Sequence, residues 1–391
     1  MILNQDCITL IIEKLYESKH NSLFSCLLVN RIWCRIVIPI IWKDPWFILS
    51  KINNEEIFFK NSKLLLNIIL LHLSKESRNY LENQGINLFK KLNFQKNTLL
   101  FDYLTFSKYI KHRIYFKNGS NIYDEIFHFY NNDQRNLIIQ EIYKIFMIKC
   151  SNIKFLDIIG ILQPFYKYPE EEIKISKIQE LQCKKDDDIL IYQAIMKHST
   201  TINYLDLTIK NNINFINILL PKLINLKKLI LYGSLFYRLD LDKQFISSFY
   251  PKLQILQLCS ISFSIIIKII QNTEGNLQII WLGSNKFENV DQNGQLIRTI
   301  SQHCPNLKYL KIFLKDYYLE DFKQLLINCS LLEGIVIYTD NLYLNYRGDE
   351  LLNILKEYSP INLHKLELDY CKFEIKSLDS FLNNWRNRKS L

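Results

Sequence analysis

An aliphatic residue, two variable residues, a second aliphatic, one variable residue and a third aliphatic recur through the last two-thirds of this chain. The clearest copy is Leu307-Lys308-Tyr309-Leu310-Lys311-Ile312, introduced by Cys304-Pro305-Asn306. The frame also fits Ile153/Leu156/Ile158, Ile202/Leu205/Leu207, Leu226/Leu229/Leu231, Leu253/Leu256/Leu258, Leu277/Ile280/Leu282, Leu332/Ile335/Ile337 and Leu363/Leu366/Leu368, with a weaker copy at Ile178/Leu181/Cys183. Successive first anchors lie 24 to 31 residues apart. A near-constant period of this size predicts stacked units that share one continuous core, an architecture that offers a surface rather than a pocket.

The last two aliphatics of each phrase are two residues apart, which puts them on one face of a short strand. The stretches between phrases carry apolar residues at helical spacing, as in Leu296-Ile297-Ile300 and Phe322-Leu325-Leu326. Each unit is therefore expected to be a strand followed by a helix. Cys150, Cys304 and Cys329 stand three residues before a first anchor, as buried apolar thiols would. The strand residues that face away from the helices are the candidates for partner recognition. They include Tyr204, Asp206, Lys228, Gln257, Trp281, Tyr309 and Lys311. Aromatic residues there would act as interface anchors, since they bury much area at small entropic cost. The competing reading is that a twisted repeat turns some of them into the core.

The first 46 residues follow a different pattern. Ile8, Ile11, Ile12 and Leu15 mark a helix with Asp6 as its expected cap. A second apolar run, Leu23 to Arg31, leads through Ile32-Trp33-Cys34-Arg35 to Pro39, Trp42 and Trp46. Three short helices bear more apolar side chains than they can hide among themselves. Either a partner or residues 51–150 must cover the excess.

Two resemblances attach to these residues. Leu3, Asp6, Ile8, Ile11, Ile12 and Leu15, then Leu27, Leu28, Val29, Arg31 and Trp33, resemble the F-box, with Asn4 where that family usually has Pro and Asp6 where it usually has Glu. The repeated phrase resembles the leucine-rich repeat in a degenerate form; the usual Asn or Cys three residues past the last anchor survives only at Asn285 and Cys371. This order resembles expanded fungal F-box families. It implies an α/β chain: an F-box-like module at 1–46, a helical linker and N-terminal cap at 47–150, and a solenoid at 151–391. The solenoid would carry its parallel sheet on a concave face and a cap helix near Leu378, Phe381, Leu382 and Trp385.

The function implied by the resemblance is substrate recognition in an SCF-type ubiquitin ligase. Leu3, Ile8, Ile11, Ile12, Leu15, Leu27, Leu28, Val29 and Trp33 would contact a Skp-family adaptor, and through it a cullin and a RING subunit. The repeats would bind an unknown target protein. The alternative is an interaction scaffold with no ubiquitin role.

Composition narrows the classes. The chain has 391 residues, a hydrophobic fraction of 48% and a net charge of +10, which fits a folded chain with a sizeable core. The positive charge concentrates in residues 51–150 (+6), but it is spread over apolar helical patterns. Solvated helix faces explain it better than nucleic-acid binding does. Nine cysteines without a C-x-x-C pair, and a first segment unlike a secretory signal, point to free thiols and an intracellular setting with no membrane span. Glycine-rich phosphate loops, H-E-x-x-H and G-x-S-x-G are missing, and the seven histidines are dispersed. Asp186-Asp187-Asp188 and Glu170-Glu171-Glu172 read as solvated turns and helix starts. The expectation is a non-enzyme without cofactor or metal.

Overall fold

A computed structural model describes residues 4–17, 23–47, 49–88, 99–111, 121–150, 153–157, 178–183, 196, 199–209, 219–233, 249–283, 290–339, 348–369 and 371–385. Leu3, Asn285 and the acidic runs at 170–172 and 186–188 lie outside them. The chain is α/β and divides into two compact units, residues 1–182 and 183–391. The boundaries expected at 46/47 and 150/151 both fall inside the first unit.

In the first unit, α1 (Gln5–Glu17), α2 (Leu23–Leu27) and α3 (Arg31–Trp42) pack on one another. Helix α1 starts after Asn4. The Asn4 carbonyl accepts from Ile8 N–H at 3.1 Å, and its side chain accepts from Asp6 N–H at 3.4 Å. Asn4, not Asp6, therefore caps the helix; Asp6 sits in the first turn, where the helix dipole favours a carboxylate. Helix α3 is capped by Asn30, whose side chain accepts from Trp33 N–H. There follow α4 (Glu55–Leu71), α5 (Lys75–Asn83), α6 (Ile122–Ile126) and α7 (Asn132–Lys149). The apolar stripe Ile138, Ile139, Ile142, Tyr143 and Phe146 of α7 is buried, as its spacing predicts.

Three parallel strands begin in this unit: β1 (Tyr109–Ile110), β2 (Phe155–Asp157) and β3 (Glu180–Cys183). The last two begin where the repeated phrase puts them. Strand β1 was not expected. Its backbone follows the same rule as the others: the Lys108 carbonyl accepts from both Lys154 and Phe155 N–H, as the Lys154 carbonyl does from Gln179 and Glu180. Ser107 occupies the place of the first aliphatic anchor, which hides this copy from a hydrophobic pattern. The outer edge of β1 is closed by the end of α3. Lys108 N–H donates to the Lys43 carbonyl at 2.9 Å, and Ser107 Oγ donates to the Trp42 carbonyl at 3.0 Å. Two orphan carbonyls at a helix end thus meet the polar groups of a sheet edge. The Lys111–Asp44 ion pair at 2.6 Å and the Trp42–Tyr103 ring contact at 4.8 Å add to that junction.

The second unit carries β4 (Tyr204–Ile209), β5 (Lys228–Gly233), β6 (Ile255–Cys259), β7 (Ile279–Leu282), β8 (Tyr309–Phe313), β9 (Gly334–Tyr338) and β10 (Lys365–Asp369), parallel and in chain order. The helices α8 (Phe263–Gln271), α9 (Val290–His303), α10 (Leu319–Asn328), α11 (Gly348–Tyr358) and α12 (Ile375–Trp385) pack side by side in sequence order. Register is uniform: Leu229, Leu256, Ile280, Leu310 and Ile335 line up on one face and are buried. The helical residues Leu296, Ile297, Ile300, Phe322, Leu325 and Leu326 form the other half of the core. In three units an asparagine before the first anchor ties the unit to the one before it. Asn225 donates to the Thr200 carbonyl at 2.7 Å, Asn276 to Pro251 at 2.8 Å and Asn306 to Gly275 at 3.0 Å. Cys150, Cys304 and Cys329 are buried, and Cys150 and Cys329 donate their thiols to the carbonyls of Leu104 and Cys304.

The core thins at the end of the chain. Leu366 and Leu368 of β10 are half-buried, and Leu378 and Leu382 of α12 are exposed, while Phe381 is buried against Trp385 at 4.7 Å. Among the described residues, no single helix is long and apolar enough to cross a membrane; α4 and α5 reach the length together but meet at 111°.

Candidate functional site

Two surfaces hold the residues singled out by the sequence. The first is on the N-terminal helices. Ile8 and Ile12 of α1 are in the core with Val37 and Ile41 of α3, so they hold the module together and present no surface to a partner. Leu15, Leu27 and Trp33 are half-buried. Ile11 and Val29 are exposed, and Leu28 is 88% exposed. Leu10 and Ile32, which the pattern had not singled out, are exposed as well. The reason is local. The α2–α3 connection turns tightly, with Leu28 N–H donating to Ser25 and Val29 N–H to Cys26. With Leu23 and Cys26 turned inward, Leu28 and Val29 are left on the outside. The expectation that residues 51–150 cover the apolar excess holds in part: α3 docks on residues 103–111, and among the described residues of this module five large apolar side chains remain exposed.

The second surface is the open face of the strands in the second unit. Trp281, 44% exposed, stands in the middle row of β7. Lys311, its neighbour in register on β8, holds its ammonium 5.1 Å from the Trp281 ring centroid and 5.8 Å from that of Tyr338. In the adjacent row, Tyr309, Gly334 and Lys365 are in register on β8, β9 and β10. Gly334 has a steric reason: a Cβ there would stand 2.7 Å from Tyr309 Cδ1 and 3.3 Å from Lys365 Cβ. Without it, Lys365 reaches across β9 until its ammonium is 5.5 Å from the Tyr309 ring centroid. A cleft of about 430 Å³ is lined by Trp281, Tyr309, Gly334, Val336, Lys365 and Glu367, with Lys311 outside the lining, beside Trp281.

Tyr309 is fixed from its far end. Its hydroxyl donates to Glu333 Oε2 at 2.8 Å, and Glu333 is also 3.6 Å from Lys308 Nζ. That hydrogen bond, with the carboxylate charge beside it, raises the tyrosine pKa and lowers that of Glu333.

The remaining expected positions divide. Tyr204 and Lys228 are paired in register and part-buried, the Lys228 ammonium 4.7 Å from the Tyr204 ring centroid. Gln257 donates to Tyr232 Oη at 3.3 Å. Asp206 is a correction: it is 5% exposed and offers no surface to a partner. Its register neighbour Ile230 is buried too, so the row is covered at β4 and β5 and open at Trp281 on β7. No hydrophobic pattern separates the two ends of that row. The Gly334 cleft was also missed; a glycine in a strand row between Tyr309 and a lysine is the signal that would have marked it. Among the described residues, no cluster of three metal-ligating side chains occurs. No family model and no curated protein matches the chain.

Proposed function

We propose that this chain is a non-catalytic receptor that joins two proteins: a Skp-family adaptor on residues 1–46, and a target protein on the open strand face. The observation that carries the first half is the exposed apolar set Leu10, Ile11, Leu28, Val29 and Ile32, on a module that buries Ile8, Ile12, Val37 and Ile41. Unmatched apolar surface of this kind on adjoining helices suits docking by another helical protein. The resemblance to the F-box supplies the identity of that protein, and with it the cullin and RING subunits. Trp281 and the cleft beside it support the second half, because an exposed aromatic next to an apolar recess has the make-up of an interface anchor. The contribution to ubiquitin transfer would be proximity, with the bond chemistry done elsewhere.

The test is binding of the purified chain to the host's Skp-family adaptor, measured against Leu28→Glu. Leu28 touches little of its own chain, so the variant stays folded. Loss of binding supports the proposal. Unchanged binding by folded Leu28→Glu moves the contact elsewhere, and no binding by the unaltered chain favours the scaffold with no ubiquitin role.

A further inference from the structure

Lys365 lines the cleft of the second unit and Lys311 stands beside its Trp281 wall, and both are placed unusually. Each rests its ammonium on an aromatic ring, and neither has a carboxylate partner among the described residues. Glu333, just before β9, is already engaged by Tyr309 and Lys308. A lysine held over a ring keeps its outward side free for an anion, and the ring fixes where that anion must come.

The apolar part of the site is equally specific. Gly334 lets the Tyr309 ring lie over β9 where a Cβ would stand, and beside that ring the cleft is bounded by Val336 and Lys365, with Trp281 on the far wall. A volume of about 430 Å³ exceeds what a single large side chain needs and fits an aromatic residue with its backbone. Glu367 is the carboxylate in the lining, on β10, two strands from Lys311 and so roughly 10 Å away. It repels an anion at the β10 end and leaves the β8 end to it. Lys365 leans in the same direction, toward Tyr309 on β8.

We propose that this cleft binds an extended segment of a partner protein in which an acidic residue adjoins an aromatic or large aliphatic one. The apolar side chain fills the cleft between the Tyr309 ring and Trp281, and the carboxylate meets Lys311, with Lys365 alongside. This inference rests on the reading of the open face as the target surface and names the chemistry that the target must present.

The experiment is selection of random peptides displayed on phage against the full chain, followed by affinity measurements with synthetic copies of the enriched sequences. Four variants are compared: Lys311→Glu, Trp281→Ala, Tyr204→Ala and Gln257→Ala, each checked by its melting curve. The expected result is enrichment of peptides pairing Asp or Glu with Phe, Trp, Tyr or Leu. Affinity should fall by about tenfold or more in Lys311→Glu and Trp281→Ala, as for a desolvated charge contact and its aromatic neighbour. Replacing the peptide's acidic residue with lysine should restore binding to Lys311→Glu. Enrichment of basic or uncharged peptides overturns the proposal. If affinity responds to Tyr204→Ala or Gln257→Ala but not to Trp281→Ala and Lys311→Glu, the open face stands as the target surface and the cleft does not. If no peptide is enriched, or affinity ignores all four variants, both fall.

Discussion

Ser107 and Trp42, 65 residues apart in the chain, are joined by a buried hydrogen bond of 3.0 Å from the serine hydroxyl to the tryptophan carbonyl. With the neighbouring bond from Lys108 N–H to the Lys43 carbonyl, it fuses the last turn of α3 to the first strand. The N-terminal helices are thereby the cap of the first unit's strands as well as a carrier of exposed apolar side chains. Ser107→Ala removes the donor and leaves a buried carbonyl without it. The expected cost is about 1–3 kcal/mol, read from urea denaturation curves. Restoring the repeat's aliphatic with Ser107→Leu should cost more, since the larger side chain must enter the space beside Trp42.

Ser260 and Gly233 make a second tight junction. Ser260 has φ 56°, a left-handed conformation that a residue with a side chain adopts at a cost. A Cβ on Gly233 would stand 2.2 Å from the Ser260 carbonyl oxygen. Gly233→Ala should therefore force the backbones of adjacent units apart and lower stability by about 2–3 kcal/mol. Ser260→Gly should relax the strained residue and raise stability by roughly 0.5–1 kcal/mol. Thermal melting distinguishes the two, with midpoints moving in opposite directions.

His72 sets a pH dependence. Its side chain is buried at the C-terminal end of α4, with Nδ1 2.8 Å from the Ile68 carbonyl and Nε2 3.3 Å from Asp102, which also binds Lys149 at 2.8 Å. Burial lowers its pKa below the usual histidine value, outweighing the pull of the carbonyl and of Asp102. The folded state thus takes up its proton later than the unfolded state. The contribution is fully present above about pH 6.5 and is lost as pH falls below it, with a slope of at most about 1.4 kcal/mol per unit. His72→Gln should flatten the stability curve between about pH 7 and pH 5, measured by urea midpoints across that range.

The thiols should react in an order fixed by burial. Cys7 is exposed, whereas Cys150, Cys304 and Cys329 are buried. Burial pushes the Cys150 and Cys329 thiols up to about 12, and Cys304 rises too, so little thiolate exists at neutral pH. Alkylation followed by peptide mass mapping should modify Cys7 within the first exposure and reach Cys150, Cys304 and Cys329 only on unfolding. Equal labelling at Cys304 and Cys7 in the native protein would contradict this packing.

A contrast between two leucine-like positions checks the N-terminal surface without any partner. Ile12→Glu places a charge in the module's core and should unfold it, whereas Leu28→Glu, on the outside, should shift the melting midpoint by no more than about 0.5 kcal/mol in stability.

The period of strand and helix was legible in the sequence because it is enforced locally: aliphatics two apart can share only one face of a strand, and three or four apart one face of a helix. Leu307/Leu310/Ile312 and Leu296/Ile297/Ile300 therefore declared their partners in the core before any fold was known. Strand β1 obeys the same backbone rule but not the same side-chain rule. Ser107 satisfies its polar group on Trp42, a contact that local spacing cannot express. The same limit applies to the surfaces. The sequence by itself settled which strand residues face away from the helices, since alternation decides that. Whether such a residue is open to a partner depends on its neighbours across strands. Asp206 lies beside Ile230 and is buried, while Trp281 lies beside Lys311 and is open. The Tyr309 ring can lie over Gly334 because register brings a residue without a side chain between Tyr309 and Lys365, which are 56 positions apart in the chain. Period is a property of short range, whereas exposure and the shape of a site come from packing at long range.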